Sequence, residues 1–300
     1  VAVLTVPSLE GAPIERFALE VGRIWKLGRE GVDDSALLVV AKAERKLRIE
    51  VGRGAEGDLT DAIAGRIIRQ LVRDWRTMAF IIMVPLLVMT IVCYSFPEKG
   101  DFLSAYAPGL LATLALFFSF LLTGVGFLRE RTQGTMERIM ASPVSRLDMV
   151  IGYLLGFFIF ALTQSLIILL FTIYVLDVTY YGDLWQIFVF LTFIVTMAVN
   201  LGIFTSSFAR NEFQMIQFIP LMLIPQIFLC GVIWPVADMH PVLQWIARFL
   251  PLKYAVDGMQ GIMLSGDNLL DVGFELGILV AFAMAISILA ATTLRRGASG

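Results

Sequence analysis

Charged residues are scarce in this chain of 300 residues: 16% are Asp, Glu, Lys or Arg, whereas 58% are hydrophobic. A soluble globular domain normally carries about 25% charged and about 45–50% apolar residues. The deficit excludes an ordinary soluble protein and indicates an integral membrane protein. The formal net charge of −2 provides no strongly basic surface, so no nucleic-acid partner is expected.

Histidine and cysteine are also rare. The one histidine, His240, precedes Pro241 and has no Cys or His cluster near it, so we expect an interfacial loop residue and not a metal ligand. The two cysteines, Cys93 and Cys230, form no C-x-x-C motif and do not reveal the redox compartment. The first apolar run, residues 1–6, is too short for the hydrophobic core of a signal peptide.

Two kinds of energy-coupling motif are missing. No G-x-x-x-x-G-K-[ST] sequence occurs, so we expect no ATP hydrolysis by a phosphate-binding loop of this chain. The middles of the apolar spans lack ionisable residues, which argues against an ion-coupled carrier or a proton pump, because such proteins bind and release ions at depth.

A G-x-G-x-x-G sequence does occur at residues 52–57, but its context does not fit a dinucleotide site. The preceding segment alternates polar and apolar residues, and no second parallel strand follows with an acidic residue at its end. A glycine-rich turn explains these residues better.

The charges that are present divide the chain into two zones. Of 23 Lys and Arg residues, 13 lie in residues 1–76. Residues 1–66 are predicted to form a small α/β segment, with strands at 1–6, 36–41 and 46–51, a helix at 14–25 and a hairpin turn at 42–45. A further helix is expected from about Thr60.

Six apolar spans follow, each close to the roughly 20 residues that cross a bilayer. They lie at about 77–96, 106–128, 149–176, 185–208, 213–234 and 272–294. The region between the fifth and sixth spans contains several prolines. We expect short interfacial or re-entrant helices there, with an aromatic belt of Trp234, Trp245 and Tyr254. Pro220 and Pro225 are expected to kink the fifth span.

The orientation follows from the Lys and Arg residues that flank the spans. One set of flanks carries eleven: Arg66, Arg69, Arg73, Arg76, Arg129, Arg131, Arg138, Arg146, Arg210, Arg295 and Arg296. The other set carries Lys99, Arg248 and Lys253. Positive residues concentrate on the cytoplasmic side, so both ends of the membrane domain are predicted to be cytoplasmic.

Six uncharged polar residues inside the spans are candidates for lining a translocation path: Gln164, Thr192, Thr196, Asn200, Gln214 and Gln217. Thr192, Thr196 and Asn200 recur every four residues and share one helix face. The alternative is hydrogen bonding between helices, worth about 1 kcal/mol each in lipid. The residues alone leave both roles open.

The loop between the second and third spans is unusually structured for a simple topology anchor. Residues 129–149 include a predicted short helix capped by Thr132 or Thr135, with Met136, Ile139 and Met140 on one side. Glu137 and Arg138 lie on the other side. Such a helix along the membrane surface would offer a rigid contact to a soluble partner.

These segments resemble the membrane permease of a type-2 ABC exporter. The matching pieces are RQLVRDWRTMAFIIMVPLL, ERTQGTMERIMASP and WPVADMHPVLQWIARFLPLKYAVDGM, within residues 67–296. The resemblance implies a multi-pass permease of the plasma (bacterial inner) membrane, exporting a small molecule, drug or lipid-like substrate. It also implies a homodimer or heterodimer of permeases surrounded by membrane lipid.

The same resemblance implies that ATP hydrolysis takes place in a separate cytoplasmic ABC ATPase subunit, which binds ATP and magnesium, with no cofactor in this chain. An amphipathic interfacial helix is implied at residues 66–76. The residues implied to couple the permease to the ATPase are Arg131, Gly134, Thr135, Glu137, Arg138 and Pro143.

Residues 1–66 resemble a TPM domain cut to about half its length, through TVPSLEGAPIERFA, ERKLRIEVGRGAEG and LTDAIAGRII. This resemblance implies a rival function, a membrane-tethered, metal-dependent phosphatase. Its weak metal-ligand candidates are Asp33, Asp34, Glu56, Asp58 and Asp61, since carboxylates suit calcium; a solvated acidic turn is the alternative. TPM domains are normally exported, whereas the permease is predicted to begin on the cytoplasmic side. The two resemblances therefore conflict, and we expect a fusion whose join lies near residues 67–70, where both families can carry a similar helix.

The sequence thus predicts an all-α membrane domain of six transmembrane helices at residues 67–300, preceded by a truncated TPM-like α/β segment. Its expected function is that of a permease and not of an enzyme. A structural membrane scaffold is a third interpretation.

Overall fold

A computed structural model of the protein describes residues 2–9, 13–25, 36–41, 43, 46–51, 65, 75–95, 99–132 and 146–296. The chain divides into two compact units. One unit contains residues 1–69 and 130–156, and the other contains residues 70–129 and 157–300.

The first unit contains a three-stranded sheet. Strand β1 spans Ala2–Val6, helix α1 spans Ile14–Ile24, and strands β2 and β3 span Ala36–Ala41 and Lys46–Val51. β1 pairs in parallel with β2, and β2 pairs with β3 as an antiparallel hairpin. The strand before the G-x-G-x-x-G sequence is therefore antiparallel to its neighbour, unlike the first strand of a dinucleotide-binding fold.

The small core of this unit forms where α1 covers the sheet. Ile14 and Ala18 of α1 belong to one buried apolar cluster with Leu37 and Val39 of β2. The four elements coincide with the predicted segments to within one residue at each end. The helix predicted from Thr60 and the interfacial helix predicted at 66–76 lie mostly outside the described residues.

Long apolar helices follow from Trp75 onward. α2 spans Trp75–Ser95, α3 spans Lys99–Thr132, and α4 spans Arg146–Tyr174. α5 spans Leu184–Ser206 and α6 spans Glu212–Leu229. At 1.5 Å per residue, the 23 residues of α5 extend about 35 Å, enough to cross a hydrocarbon layer of about 30 Å.

Short helices occupy the region after α6, as the sequence predicted. A 3-10 helix at Val236–Asp238 is followed by α7 at Pro241–Ala247 and α8 at Pro251–Gln260. α8 continues directly into one turn of π-helix at Gly261–Ser265. The last helix, α9, spans Gly273–Arg296.

The predicted end of the fifth span is wrong. The sequence placed it at about Trp234, but α6 ends at Leu229. Gly231 has a φ of 95°, a left-handed conformation that terminates a right-handed helix, and Pro235 follows four residues later. Apolar composition continued past this point, whereas the helical backbone did not. Pro220 and Pro225 both lie within α6.

The predicted aromatic belt is wrong in one member. Trp234 and Trp245 are each 61% exposed, as residues of a belt should be. Tyr254 is only 8% exposed, and its hydroxyl donates a hydrogen bond to the backbone oxygen of Arg248 at 2.8 Å. Tyr254 therefore belongs to the interior of the α7–α8 region, where its one polar atom is satisfied within the chain.

Four of the described helices are long and apolar enough to cross a membrane: Ser104–Thr132, Ile151–Tyr174, Leu184–Ser206 and Glu212–Leu229. The apolar stretches Ala79–Ser95 and Gly273–Leu289 are shorter. The six predicted spans thus correspond to six helices, of which four have the length and composition of a span over their described residues.

Candidate functional site

Most of the predicted coupling segment lies outside the described residues. This applies to Gly134, Thr135, Glu137, Arg138 and Pro143. The sixth predicted coupling residue, Arg131, is in the last turn of α3 and is exposed. α3 therefore ends with charged residues immediately before this segment in the sequence, and α4 begins immediately after it, at Arg146.

An ion pair joins this end of α3 to the start of α6. The Arg129 Nε atom lies 2.9 Å from Oε1 of Glu212, and the Arg129 Nη2 atom lies 3.2 Å from Oε2. The guanidinium thus donates to both carboxylate oxygens, the strongest geometry that these two groups adopt. The two side chains are 38% and 47% exposed, so solvent screens the attraction.

The sequence positions Glu212 by capping α6 at its first turn. The Asn211 side chain accepts a hydrogen bond from the backbone N–H of Gln214 at 2.8 Å. The Gln214 side chain in turn accepts from the backbone N–H of Arg210 at 2.9 Å. An Asn followed three residues later by Gln resembles a capping box, a signal that was visible in the sequence. Gln214 is therefore a capping residue at a helix end.

A buried carboxylate, which the sequence analysis missed, lies in the first unit. Glu130 is 3% exposed and accepts a hydrogen bond from the Tyr153 hydroxyl at 3.0 Å. The bond links the last turns of α3 to the first turns of α4. Between Arg129 and Arg131, Glu130 had the sequence context of a solvated charge, so only the helix geometry reveals its burial.

Three predicted path residues on α5 bond first to their own helix. The hydroxyls of Thr192 and Thr196 and the amide of Asn200 each donate to the carbonyl four residues earlier, at 2.7–2.9 Å. Asn200 also reaches another helix, because its Oδ1 accepts a hydrogen bond from the Ser287 hydroxyl of α9 at 2.7 Å. Asn200 thus forms a hydrogen bond between two helices, which was the alternative to a role in lining the translocation path.

The remaining two path candidates differ in exposure. Gln217 of α6 is exposed on the surface of the chain. Gln164 of α4 is 1% exposed, and neither its amide nitrogen nor its amide oxygen has a hydrogen-bond partner among the described residues. Of the six candidates, Gln217 is therefore the one best placed to meet a molecule from outside the chain.

Two buried glutamines that the sequence analysis did not select hold the other end of the helices together. Gln186 donates to Asp183 at 3.0 Å and to Asn268 at 3.2 Å, and its oxygen accepts from the backbone N–H of Leu269. Gln226 of α6 accepts from the backbone N–H of Leu252 at the start of α8, at 3.4 Å.

The candidate metal ligands of the N-terminal segment, Asp33, Asp34, Glu56, Asp58 and Asp61, all lie outside the described residues. Within the described parts of the chain, no group of three His, Cys, Asp or Glu side chains is arranged to hold a metal ion. His240, predicted as a loop residue, caps α7, and its Nδ1 accepts a hydrogen bond from the backbone N–H of Val242 at 3.4 Å.

Comparison with protein families yields two matches. Residues 59–264 match the family described as ABC-2 type transporter. Residues 1–77 match the family described as TPM domain. The two matches overlap at residues 59–77, a range that includes the predicted join near 67–70.

Individual relatives resemble the chain over part of its length. It is 27% identical to ABC transporter G family member 20 of Dictyostelium discoideum over 67% of this chain and 28% of the relative. It is 24% identical to a probable multidrug ABC transporter permease of Escherichia coli (strain K12) over 63% of this chain and 50% of the relative. It is 31% identical to a linearmycin resistance permease protein of Bacillus subtilis (strain 168) over 52% of this chain and 40% of the relative. The chain thus spans half or less of the length of these three relatives.

Proposed function

Since this chain belongs to the ABC-2 type transporter family, we propose that it is the membrane-spanning permease subunit of an ATP-driven exporter. The substrate would be a small molecule, a drug or a lipid-like compound, in keeping with relatives named as multidrug and linearmycin resistance permeases. The protein would be a multi-pass component of the plasma (bacterial inner) membrane.

The observation that carries this proposal is the way α3 ends. This helix contains a membrane-length apolar stretch and finishes with Arg129 and Arg131 beside segment 133–145. Arg129 is bonded to Glu212 at the first turn of α6, a second helix of membrane-spanning length. A movement imposed on the segment would therefore reach two membrane helices through the backbone of α3 and through one ion pair.

We assign the imposed movement to a separate cytoplasmic ABC ATPase subunit that binds ATP and magnesium. Arg131, Gly134, Thr135, Glu137, Arg138 and Pro143 would form its contact. The Lys and Arg residues that flank the helices support a cytoplasmic location for this contact and for both ends of the membrane domain. The full arrangement would have six spans per chain and two permease chains, either identical or different, in membrane lipid.

The translocation path would be lined by polar groups that become accessible between helices. Gln217 is the strongest candidate because it is exposed on α6, whose other exposed side chains include Phe213, Ile216 and Leu221. A surface of amide and apolar groups suits an amphiphilic substrate. Thr192 and Thr196, which are partly exposed, are secondary candidates.

The proposal is tested by affinity purification of the chain from membranes of cells that also express candidate ABC ATPase subunits. We expect one ATPase to copurify with the wild-type chain and to be lost from a Gly134→Pro variant, because proline would fix φ and remove a backbone N–H within the predicted coupling segment. Arg16→Gln, which removes an exposed ion pair within α1, is the matched control and should retain the partner. The proposal would be contradicted if no ATPase copurified with the wild-type chain. It would also be contradicted if the wild type, Gly134→Pro and Arg16→Gln recovered equal amounts of the ATPase.

A further inference from the structure

Several buried polar atoms without a partner belong to helices α3, α4 and α5. The amide nitrogen and oxygen of Gln164 and the hydroxyl of Ser119 have no hydrogen-bond partner among the described residues, and these residues are 1% and 0% exposed. The hydroxyls of three other buried residues share this property: Thr123, Ser165 and Thr205.

Two contacts show how α3 and α4 pack against each other. A Cβ atom added at Gly126 of α3 would lie 2.5 Å from the Phe157 ring of α4. Ser104 near the start of α3 shares a hydrogen bond of 2.7 Å with Thr179, just beyond the end of α4. The first contact joins the end of α3 to the start of α4, and the second joins the start of α3 to the residues that follow α4. The helices are therefore antiparallel, and the contact between Gly126 and Phe157 sets their register.

This register places Ser119 and Gln164 opposite each other. Ser119 precedes Gly126 by seven residues, and Gln164 follows Phe157 by seven residues, so both lie at the same depth. Seven residues are almost two full helical turns, so Ser119 shares the face of Gly126 and Gln164 shares the face of Phe157. The two unpartnered side chains thus belong to the facing surfaces of α3 and α4.

The surrounding helices leave little space at this depth. A Cβ atom added at Gly202 of α5 would lie 2.9 Å from the backbone oxygen of Phe120 and 2.9 Å from Cβ of Thr123. α5 therefore approaches the backbone of α3 closely, one residue from Ser119. Ala115 and Ala161, one turn from Ser119 and Gln164 on α3 and α4, are fully buried. This close packing leaves no room for a drug-sized ligand, and water is the small polar molecule that such an interior normally holds.

Polar atoms in an apolar interior are costly unless they are hydrogen-bonded, and inside a bilayer bulk water does not reach them. Buried water molecules typically make two to four hydrogen bonds to polar groups that the protein leaves unsatisfied. Ser119 and Gln164 offer one hydroxyl, one amide N–H₂ and one carbonyl oxygen, which can satisfy a water molecule as donor and acceptor.

We propose that Ser119 and Gln164 form a water-binding site enclosed between α3 and α4 within the membrane domain. The amide of Gln164 donates to the water oxygen, and its carbonyl oxygen accepts a hydrogen bond from the water. Ser119 supplies a third hydrogen bond from the opposite helix. Gln164 would accordingly hold two helices together through water and would not contact the transported substrate.

The site is tested by infrared spectroscopy of the complete chain in lipid nanodiscs, using water as the probe. An enclosed water gives a sharp O–H stretching band apart from the broad band of bulk water, and exchange into H₂¹⁸O shifts that band. We expect such a band in the wild type, its loss in Gln164→Met and in Ser119→Ala, and its retention in Gln217→Met. Gln217→Met makes the same change on the exposed side of α6.

Three results would overturn the proposal. They are the absence of an isotope-sensitive band in the wild type, a band unaffected in both Gln164→Met and Ser119→Ala, or a band lost equally in Gln217→Met. A direct hydrogen bond between Ser119 and Gln164 without water would give the first of these results. If Gln164→Met fails to fold, Ser119→Ala alone decides, because it removes one hydroxyl and leaves the Gln164 side chain in place.

Thermal unfolding of the same variants shows whether the polar atoms of Gln164 and Ser119 are hydrogen-bonded. If water satisfies Gln164, Gln164→Met should lower the Tm by about 2–4 °C relative to Gln217→Met. The combined Ser119→Ala and Gln164→Met variant should lose less than the sum of the single variants, because either change alone disrupts the site. An increase in Tm on Gln164→Met would show that its polar atoms are unsatisfied, and the proposal would fail.

Discussion

Arg129 and Glu212 are 83 residues apart in the chain, yet their side chains meet through two hydrogen bonds of 2.9 and 3.2 Å. The pair joins the last turns of α3 to the first turn of α6. Glu212 is also favoured there by the positive end of the α6 helix dipole. The contact lies two residues from Arg131, the described member of the predicted coupling set.

We expect export to depend on this contact more than stability does. A partly exposed ion pair contributes only about 0.2–1 kcal/mol to stability. Arg129→Gln and Glu212→Gln should each reduce export severalfold, because a movement of α3 would no longer be transmitted to α6 through the ion pair. The amount of folded protein in the membrane should stay normal. Export from cells and the membrane content of each variant are the measurements.

The charge-reversed pair is the control for this prediction. A double variant, Arg129→Glu with Glu212→Arg, keeps an ion pair at the same place and should recover part of the export lost in either reversed single variant. If the single variants export normally, or if the double variant is as inactive as the worse single one, the ion pair does not transmit movement.

The segment between α3 and α4 should be indispensable for export and dispensable for insertion. Gly134→Pro fixes the backbone and removes one N–H group where the predicted surface helix begins, and Glu137→Ala removes a charge from its polar side. We expect both variants to reach the membrane in normal amounts and to export nothing. Assaying substrate accumulation beside protease accessibility of the membrane domain separates the two effects. Normal export by either variant with an intact partner complex would refute the coupling role.

Asn200 should act as a structural link between α5 and α9. Asn200→Leu removes the hydrogen bond from Ser287 and should destabilise the protein by about 0.6 kcal/mol, the average for hydrogen bonds between membrane helices, and by no more than about 1.7 kcal/mol. Thr192→Val is the matched control, because Thr192 bonds to the carbonyl of Phe188 in its own helix and should cost less. Unfolding in mixed detergent measures both.

The opposite pattern would restore Asn200 to the translocation path. It would consist of unchanged stability in Asn200→Leu together with an altered range of exported compounds. Ser287→Ala distinguishes the cases further, since it should reproduce the stability loss of Asn200→Leu without touching α5.

The N-terminal segment should be dispensable. Deleting residues 1–62 leaves α2 and all later helices intact, so export should be unchanged. The isolated segment should not bind calcium at micromolar concentrations, because its buried apolar cluster is small and provides little stability to hold a set of ligands in place. Export and calorimetric calcium titration are the two measurements. Loss of export from a normally inserted truncation, or micromolar calcium binding, would assign this segment a role.

Hydropathy predicted the helices well because an apolar run of about 20 residues in lipid must satisfy its backbone hydrogen bonds internally, and an α-helix does so. It failed after α6, where apolar composition continued beyond Leu229 but the positive φ of Gly231 ended the helix. The apolar composition of a segment does not determine the backbone φ at one glycine, so hydropathy alone could not predict where α6 ends.

The polar contacts were harder to predict because they join residues that are distant in sequence. Thr192, Thr196 and Asn200 were visible as one face of a helix, but nothing local identified Ser287 as the partner of Asn200. Arg129 was noted for its charge, yet its partner begins another helix. By contrast, the capping role of Gln214 was encoded locally in residues 211–214 and was accessible from the sequence.

This chain should transport substrate only when a separate ATPase supplies the energy. The direct measurement is ATP-dependent substrate uptake into inside-out proteoliposomes that contain the purified chain alone, the ATPase subunit alone, or both. We predict uptake and stimulated ATP hydrolysis with both proteins and neither activity with this chain alone. ATP hydrolysis or ATP-driven uptake by the purified chain alone, or no uptake by the stable complex with any resistance-type substrate, would contradict the account.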